Sequence, residues 1–290
     1  MITESFDSLD YRRFLAYDYA IFDPRHLERR FWSALDPIAL VPSTLGNGPD
    51  NFPQLVCLRS LSEAQKAELL QNFNIWHHDN DRPLFSALLE CSIEPAQLAS
   101  HLKRQSWLRT PGGVMAWLRF FDPAVFQHLC WQWTSGQLAA LLGRVVCWTF
   151  FIHDRWHVCR PAVRPASSRL RPSAHQWRQL ERMELLNNSW DRLRRMSPDM
   201  AQEEDVPTRL DAALADAIER ECLPSADDQV IFAIQQIIYG ESLHRHPRII
   251  SLLESARNGV KSYTRSCRDL NDTDCRRLVA EVTQSEGIHA

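Results

Sequence analysis

Histidine and aspartate side chains cluster at one place in the chain where a metal-dependent reaction could take place. His77, His78 and Asp79 are consecutive and Asp81 follows two residues later. Imidazole and carboxylate groups are ligands for divalent metals, and a bound metal could activate water for hydrolysis. Adjacent side chains rarely chelate one ion well, and the surrounding residues 76–81 are predicted to form a polar loop. A metal-dependent hydrolase or nucleotide-binding enzyme that uses this loop is nevertheless an alternative interpretation of the sequence.

Two further histidine pairs have simple structural explanations. His153 and His157 flank Asp154 at a predicted hairpin turn, and His244-x-His246 lies at a predicted helix end, where imidazoles often meet the last carbonyls. The sequence contains no Gly-x-Gly-x-x-Gly, Walker or Gly-x-Ser-x-Gly pattern, and it has only nine glycines. The sequence therefore predicts no catalytic residue, no metal site, no cofactor and no enzymatic activity.

Strands and helices alternate over the first 160 residues, and these elements must position any functional group there. Short connections and a predicted hairpin favour a mixed or mainly antiparallel sheet over a doubly wound parallel one. The predicted strands are 17–22, 38–41, 54–58, 84–91, 114–121, 145–152 and 156–159, and the predicted helices are 24–32, 62–73, 94–103, 123–132 and 134–142.

Residues 117–126 read as a strand that runs directly into a capped helix. Apolar residues on both faces of 114–121 predict a strand that is covered on both sides. Asp122 stands where a helix needs its N-cap, and Pro123 occupies the first helical position, where its missing N–H costs nothing. Phe22-Asp23-Pro24 repeats this pattern 99 residues upstream. The same capping is expected there, and the repeat is interpreted as coincidence in preference to duplication.

The second part of the chain is predicted to be a helical domain behind a stiff linker. Arginine and proline dominate residues 161–172, and apolar stripes at helical spacing follow, beginning with a helix over about 173–195. The fold class is therefore α+β: an N-terminal mixed or antiparallel α/β lobe, 1–160, is followed by an all-helical lobe, 173–290.

Composition points to a cytoplasmic protein without a membrane span. Hydrophobic residues make up 44% of the chain, yet no apolar run reaches the length of a bilayer, and the polar N-terminus does not resemble a signal peptide. Eight cysteines without a Cys-x-x-Cys pair are expected to be mostly buried free thiols. A net charge of −3 gives no indication of nucleic-acid binding.

The charged residues are segregated in the helical lobe. Residues 160–195 contain nine arginines and three acidic residues, whereas 199–228 contain ten acidic residues and two arginines. Two interpretations remain open: the basic and the acidic segment form ion pairs with one another, or each of them binds a different partner. Arginine outnumbers lysine 30 to 3, which reflects either a GC-rich genome or an interaction surface.

Six short segments together resemble the type VI secretion effector adaptors, also called effector chaperones, whose shared domain of unknown function is of the Tap/Tec type. The strongest segment is Arg119-Phe-Phe-Asp-Pro123, which has Phe121 where the family has tyrosine. The family's tryptophan-glycine strand is replaced by Leu88-Leu-Glu-Cys91. The other segments are Tyr19-Ala-Ile-Phe-Asp23, Pro53-Gln-Leu-Val-Cys-Leu58, Leu98-Ala-Ser-His-Leu102, Leu141-Leu-Gly143-Arg-Val145 and Trp177-Arg-Gln-Leu-Glu181.

This resemblance implies a non-enzymatic bridge that holds a toxic effector and loads it onto the VgrG spike protein. The expected partners are the cognate effector and VgrG. The expected structural motif consists of Arg119, Phe120, Phe121, Asp122, Pro123 and Gly143. The expected partner-binding residues are Trp177, Arg178, Glu181, Arg192, Arg194 and Arg195. A stable structural subunit of a larger machine is a third reading, beside the adaptor and the enzyme.

Overall fold

The chain consists of two compact units, Met1–Trp177 and Arg178–Ala290. The computed structural model describes residues 2–32, 34–41, 48, 51–80, 83–162 and 170–287. The fold class is α+β, with an antiparallel sheet and helices followed by a helical region. The division at 177 differs from the predicted lobe boundaries at 160 and 173, and the role of 161–172 as a linker stays a prediction, since 163–169 lie outside the described residues.

A seven-stranded antiparallel sheet forms the centre of the N-terminal unit. Its strand order is β1-β9-β8-β5-β2-β4-β3, and β6 pairs with β7 as a separate hairpin. The strands are β1 Ile2–Phe6, β2 Tyr19–Phe22, β3 Ile38–Ala39, β4 Gln54–Cys57, β5 Ala87–Glu90, β6 Trp107–Arg109, β7 Met115–Trp117, β8 Cys147–Ile152 and β9 Arg155–Cys159. The helices are α1 Tyr11–Leu15, α2 Glu63–Asn80, α3 Pro95–Gln105, α4 Pro123–Gln132 and α5 Ser135–Leu142.

Both faces of this sheet are covered, which explains the nearly continuous apolar sequence of β8. Phe151 of β8 lies in the core cluster that contains Phe73 of α2. Trp148 points to the other face, where it stacks on Phe126 of α4 with ring centroids 5.0 Å apart. The predicted β8–β9 hairpin is confirmed. Its turn residues His153 and Asp154 have φ of 54° and 62°, which suits the right-handed twist of the strands.

The prediction of a doubly covered strand over 114–121 is wrong. Only Met115–Trp117 is a strand, and it pairs with Trp107–Arg109 in a hairpin that leaves Met115 52% exposed and Val114 68% exposed. The turn at residues 110–113 causes this difference, because Gly113 adopts a φ of 84° and folds the strand back on its own neighbour. Beyond the hairpin, Phe120 and Phe121 are buried without strand geometry.

The prediction of a polar loop at 76–81 is also wrong, because α2 continues to Asn80. In its last turns Trp76 and His77 pack inward, whereas His78, Asp79 and Asn80 are exposed. The His77 ring stacks on Phe73 at 5.9 Å and meets Phe151 edge-on at 4.9 Å, while Trp76 is buried. This packing stabilises α2 beyond Phe73, where its own sequence becomes polar.

Two elements near the N-terminus differ from the sequence prediction. The predicted helix over 24–32 is two 3₁₀ turns, Pro24–His26 and Arg29–Phe31, because Leu27 between them is extended and packs against the core. Strand Ile2–Phe6 was not predicted, since its sequence is polar and its side chains are mostly exposed. It forms an edge of the sheet by pairing with β9.

Helices form the remainder of the chain. They are α6 Ala174–Glu181, α7 Met183–Met196, α8 Pro198–Ala201, α9 Val206–Ala215, α10 Ala226–Tyr239, α11 Ser242–Arg245, α12 Pro247–Arg257, α13 Tyr263–Ser266 and α14 Asp272–Gly287. The single helix predicted over 173–195 is divided at Arg182. Six of the eight cysteines are buried, and all eight are free thiols as expected. None of the described helices combines the length and the hydropathy that crossing a bilayer requires.

Candidate functional site

The two Asp-Pro segments that resemble each other in sequence line the same cavity of about 230 Å³. Asp122 caps α4 by accepting a hydrogen bond from the Ala124 N–H at 3.0 Å, and Pro123 is the first helical residue, as predicted. Asp23 caps the first 3₁₀ turn in the same way, accepting from the Arg25 N–H at 3.1 Å. The floor of the cavity is apolar and includes Leu27, Trp76, Leu84, Phe121 and Phe151.

Arginines neutralise both carboxylates of this cavity. Arg119 donates to Asp122 at 3.1 Å, and the Arg25 Nε donates to Asp23 at 2.9 Å. The hydrogen bonds to Asp23 raise the pKa of the Arg25 guanidinium above its ordinary value, and the charge of Asp122 raises it further. Because each carboxylate accepts from a backbone N–H and an arginine, this arrangement stabilises a fold junction.

Gly143 ends α5 with a φ of 63°, as the sequence predicted. A Cβ atom at this position would lie 2.6 Å from the ring of His101. That ring is held in place because its Nε2 donates to the Leu141 carbonyl at 2.9 Å. Gly143 is therefore required both by its backbone conformation and by the close approach of α3.

A larger groove of about 950 Å³ lies in the N-terminal unit beside the β6–β7 hairpin. The end of α3, the hairpin and residues 170–177 form its walls. Its lining combines three arginines with apolar and aromatic side chains and contains no carboxylate among the described residues. The lining residues are Arg104, Gln105, Trp107, Arg109, Thr110, Pro111, Met115, Leu170, Arg171, Pro172, Ala174 and Trp177. We call this surface the Arg–Trp groove.

The six predicted partner-binding residues differ in their surroundings, and their role in partner binding stays a prediction. Trp177 is buried and lines the Arg–Trp groove. Arg178 and Arg192 form ion pairs inside the helical unit, with Glu219 at 3.5 Å and with Asp227 at 2.8 Å. The other three residues lie on α6 and α7, where Glu181 and Arg195 are exposed and Arg194 is half-buried.

These ion pairs join the basic segment 160–195 to the acidic segment 199–228. A third pair, Arg182 with Asp211, is almost fully buried, and both side chains are 6% exposed. The interpretation in which the two charged segments pair with one another therefore describes part of this region. Sequence reasoning did not identify the buried pair, because no local pattern distinguishes Arg182 from its exposed neighbours.

The structure describes only part of the histidine–aspartate segment. His77 packs between aromatic rings, and Asp81 lies outside the described residues. Among the described residues, no group of three or more histidine, cysteine, aspartate or glutamate side chains is placed to hold a metal ion.

Sequence reasoning also missed the hairpin wall of the groove. The signal was present in Thr110-Pro-Gly-Gly113, a turn sequence that stands between Trp107-Leu-Arg109 and Met115-Ala-Trp117. The hairpin was not predicted because residues 115–117 were assigned to a long buried strand over 114–121.

Residues 50–140 match the model of a family described as a domain of unknown function, DUF4123. The match covers about a third of the chain, including the Arg119–Asp122 pair and the β6–β7 hairpin, but not Gly143, residues 170–177 or the helical unit. A comparison with curated proteins gives no match, and a comparison with solved structures gives none either.

Proposed function

We propose that this protein is a type VI secretion adaptor that binds a cognate toxic effector and loads it onto the VgrG spike without catalysing a reaction. The observation that carries the proposal is the DUF4123 match over residues 50–140, because this domain family is associated with type VI secretion effector adaptors. The strongest sequence motif of the resemblance, residues 119–123, lies inside the matched region.

The geometry of that motif supports a scaffolding role. Asp122 is used as a helix cap and is paired with Arg119, and Phe121 contributes to the apolar floor of a small cavity. The motif therefore holds surfaces in position, and partner binding falls to exposed groups elsewhere.

Binding to both partners tests the proposal directly. The purified chain is mixed with a candidate toxin and a VgrG of the same genome, and complexes are separated by size-exclusion chromatography. We expect a complex with each partner and a ternary complex when all three are present. Failure to bind either protein, or a stoichiometric divalent metal in the purified chain, would contradict the adaptor proposal.

Helix α7 and the residues before it remain the partner surface proposed from sequence. The triple variant R192E/R194E/R195E is expected to weaken capture of the effector or of VgrG. A matched control, K261E/R265E/R268E, changes three exposed cations of the same unit by the same charge. If the α7 variant keeps its thermal stability and binds both partners like the control, α7 is not the binding surface.

A further inference from the structure

The Arg–Trp groove has the charge of a site for an acidic ligand. Arg104, Arg109 and Arg171 are exposed, and no carboxylate among the described residues forms an ion pair with them. Arg104 donates to the Nδ1 of His101 at 3.1 Å, where burial lowers the pKa of the imidazole and favours its neutral form. Arg109 donates to the Gly113 carbonyl at 3.3 Å. Three guanidinium charges are therefore available to carboxylates from outside the unit.

Apolar side chains line the same groove as these charges. Trp107, Met115 and Trp177 line the same groove, and Val114 lies beside Met115 at the tip of the hairpin. Met115 and Val114 are among the most exposed large hydrophobic side chains of the chain, at 52% and 68%. A mixture of arginine with methionine and tryptophan is the composition enriched at the centres of protein interfaces.

Both walls of the groove are held in place before any ligand binds. The hairpin is closed by the Leu118 N–H, which donates to the Ser106 carbonyl at 2.7 Å. Gln176 fixes the opposite wall by donating to the Gln132 carbonyl at 3.0 Å, and Gln137 donates to the Arg171 carbonyl at 3.1 Å. A groove with fixed walls loses little conformational entropy when a peptide binds.

We propose that the Arg–Trp groove binds an acidic segment of the effector that carries at least one large apolar side chain. Carboxylates of that segment pair with Arg104, Arg109 and Arg171, and the apolar side chain packs against Trp107 and Met115. The inference rests on the adaptor function proposed above. The effector is the assigned occupant because residues 104–115 belong to the matched family domain whereas 170–177 do not. A groove built partly from residues outside the shared domain suits the partner that differs between adaptors.

Charge reversal in the full-length protein tests this assignment. The variant R109E/R171E is compared with R12E/R144E, which reverses two exposed arginines outside the groove lining. Affinity for the purified effector and for the purified VgrG is measured by isothermal titration at about 50 and about 300 mM salt. We expect R109E/R171E to lose about tenfold or more in effector affinity at the lower salt and to show a weaker salt dependence. The control and the VgrG affinity should stay unchanged.

A second variant, M115D, tests the apolar contact without changing an arginine. It should also weaken effector binding and leave thermal unfolding unchanged, because the side chain is half exposed in the unbound protein. Loss of VgrG binding with effector binding intact would overturn the assigned occupant. Unchanged binding of both partners by both groove variants would overturn the groove itself. Absence of binding by the wild-type chain would instead refute the adaptor function on which the proposal rests.

Discussion

The buried pair between Arg182 and Asp211 should be the most sensitive electrostatic contact of the helical unit. The Arg182 Nε donates to one carboxylate oxygen of Asp211 at 2.7 Å, and its Nη2 donates to the other at 2.9 Å. Gln179 donates a third hydrogen bond at 2.8 Å. The perturbation is D211A, which removes the acceptor of all three bonds and leaves the guanidinium in a site where Arg182 is 6% exposed.

The geometry sets the expected magnitude. Removing one member of a buried ion pair costs about 3–5 kcal/mol, because the remaining charge stays buried without compensation. The pair is bidentate and Gln179 loses its partner as well, so D211A should lower the free energy of unfolding of the helical unit by about 4 kcal/mol. The exposed pair between Arg192 and Asp227 provides the comparison. Its side chains are 34% and 63% exposed, and D227A should cost about 0.5 kcal/mol.

Urea-induced unfolding followed by far-UV circular dichroism measures both variants in the intact chain. The double variant R182M/D211L removes both charges and keeps apolar volume, so it should recover most of the stability lost in D211A. Recovery distinguishes an uncompensated charge from a simple packing defect. The reasoning is refuted if D211A and D227A cost the same, or if the double variant is less stable than D211A.

Three further predictions concern a titrating histidine, a helix cap and a glycine. Burial lowers the pKa of His244 to about 4, so the unfolded chain binds a proton on this imidazole more readily than the folded chain does. The free energy of unfolding that depends on this group is complete above about pH 6.5 and is lost progressively as pH falls from there through 4, in total about 3 kcal/mol. In H244F, which retains the stacking on Phe232, the urea midpoints at about pH 4.5 and about pH 7.5 should differ less than they do in the wild type. An unchanged difference would show that His244 is not the titrating group. D122A should destabilise the N-terminal unit by about 1 kcal/mol through loss of the α4 cap, whereas D122N should cost less, with thermal melting as the readout. G143A should cost about 2 kcal/mol, since φ is 63° and the new Cβ meets the His101 ring, and a wild-type melting temperature would disprove that account.

Local sequence determined the features whose partners lie within a few residues. Asp122 could be identified as a cap because the N–H that it accepts from is only two residues away, and Gly143 could be identified as a helix stop from its place in a periodic pattern. The β8–β9 hairpin was predictable for the same reason. The α+β class also followed from periodicity, since alternation and helical spacing are properties of each segment by itself.

Only the tertiary structure decided which segments meet. Residues 77–80 are polar in sequence, but α2 continues through them to Asn80, where Trp76 packs on Phe31 and His77 on Phe151. The polar strand Ile2–Phe6 exists because β9 offers a free edge. Arg182 and Asp211 are 29 residues apart, and Arg109 and Arg171 line one groove that no local pattern describes. Burial and long-range pairing are properties of the folded chain, so the exposed surfaces on which the proposed function depends became visible only after folding.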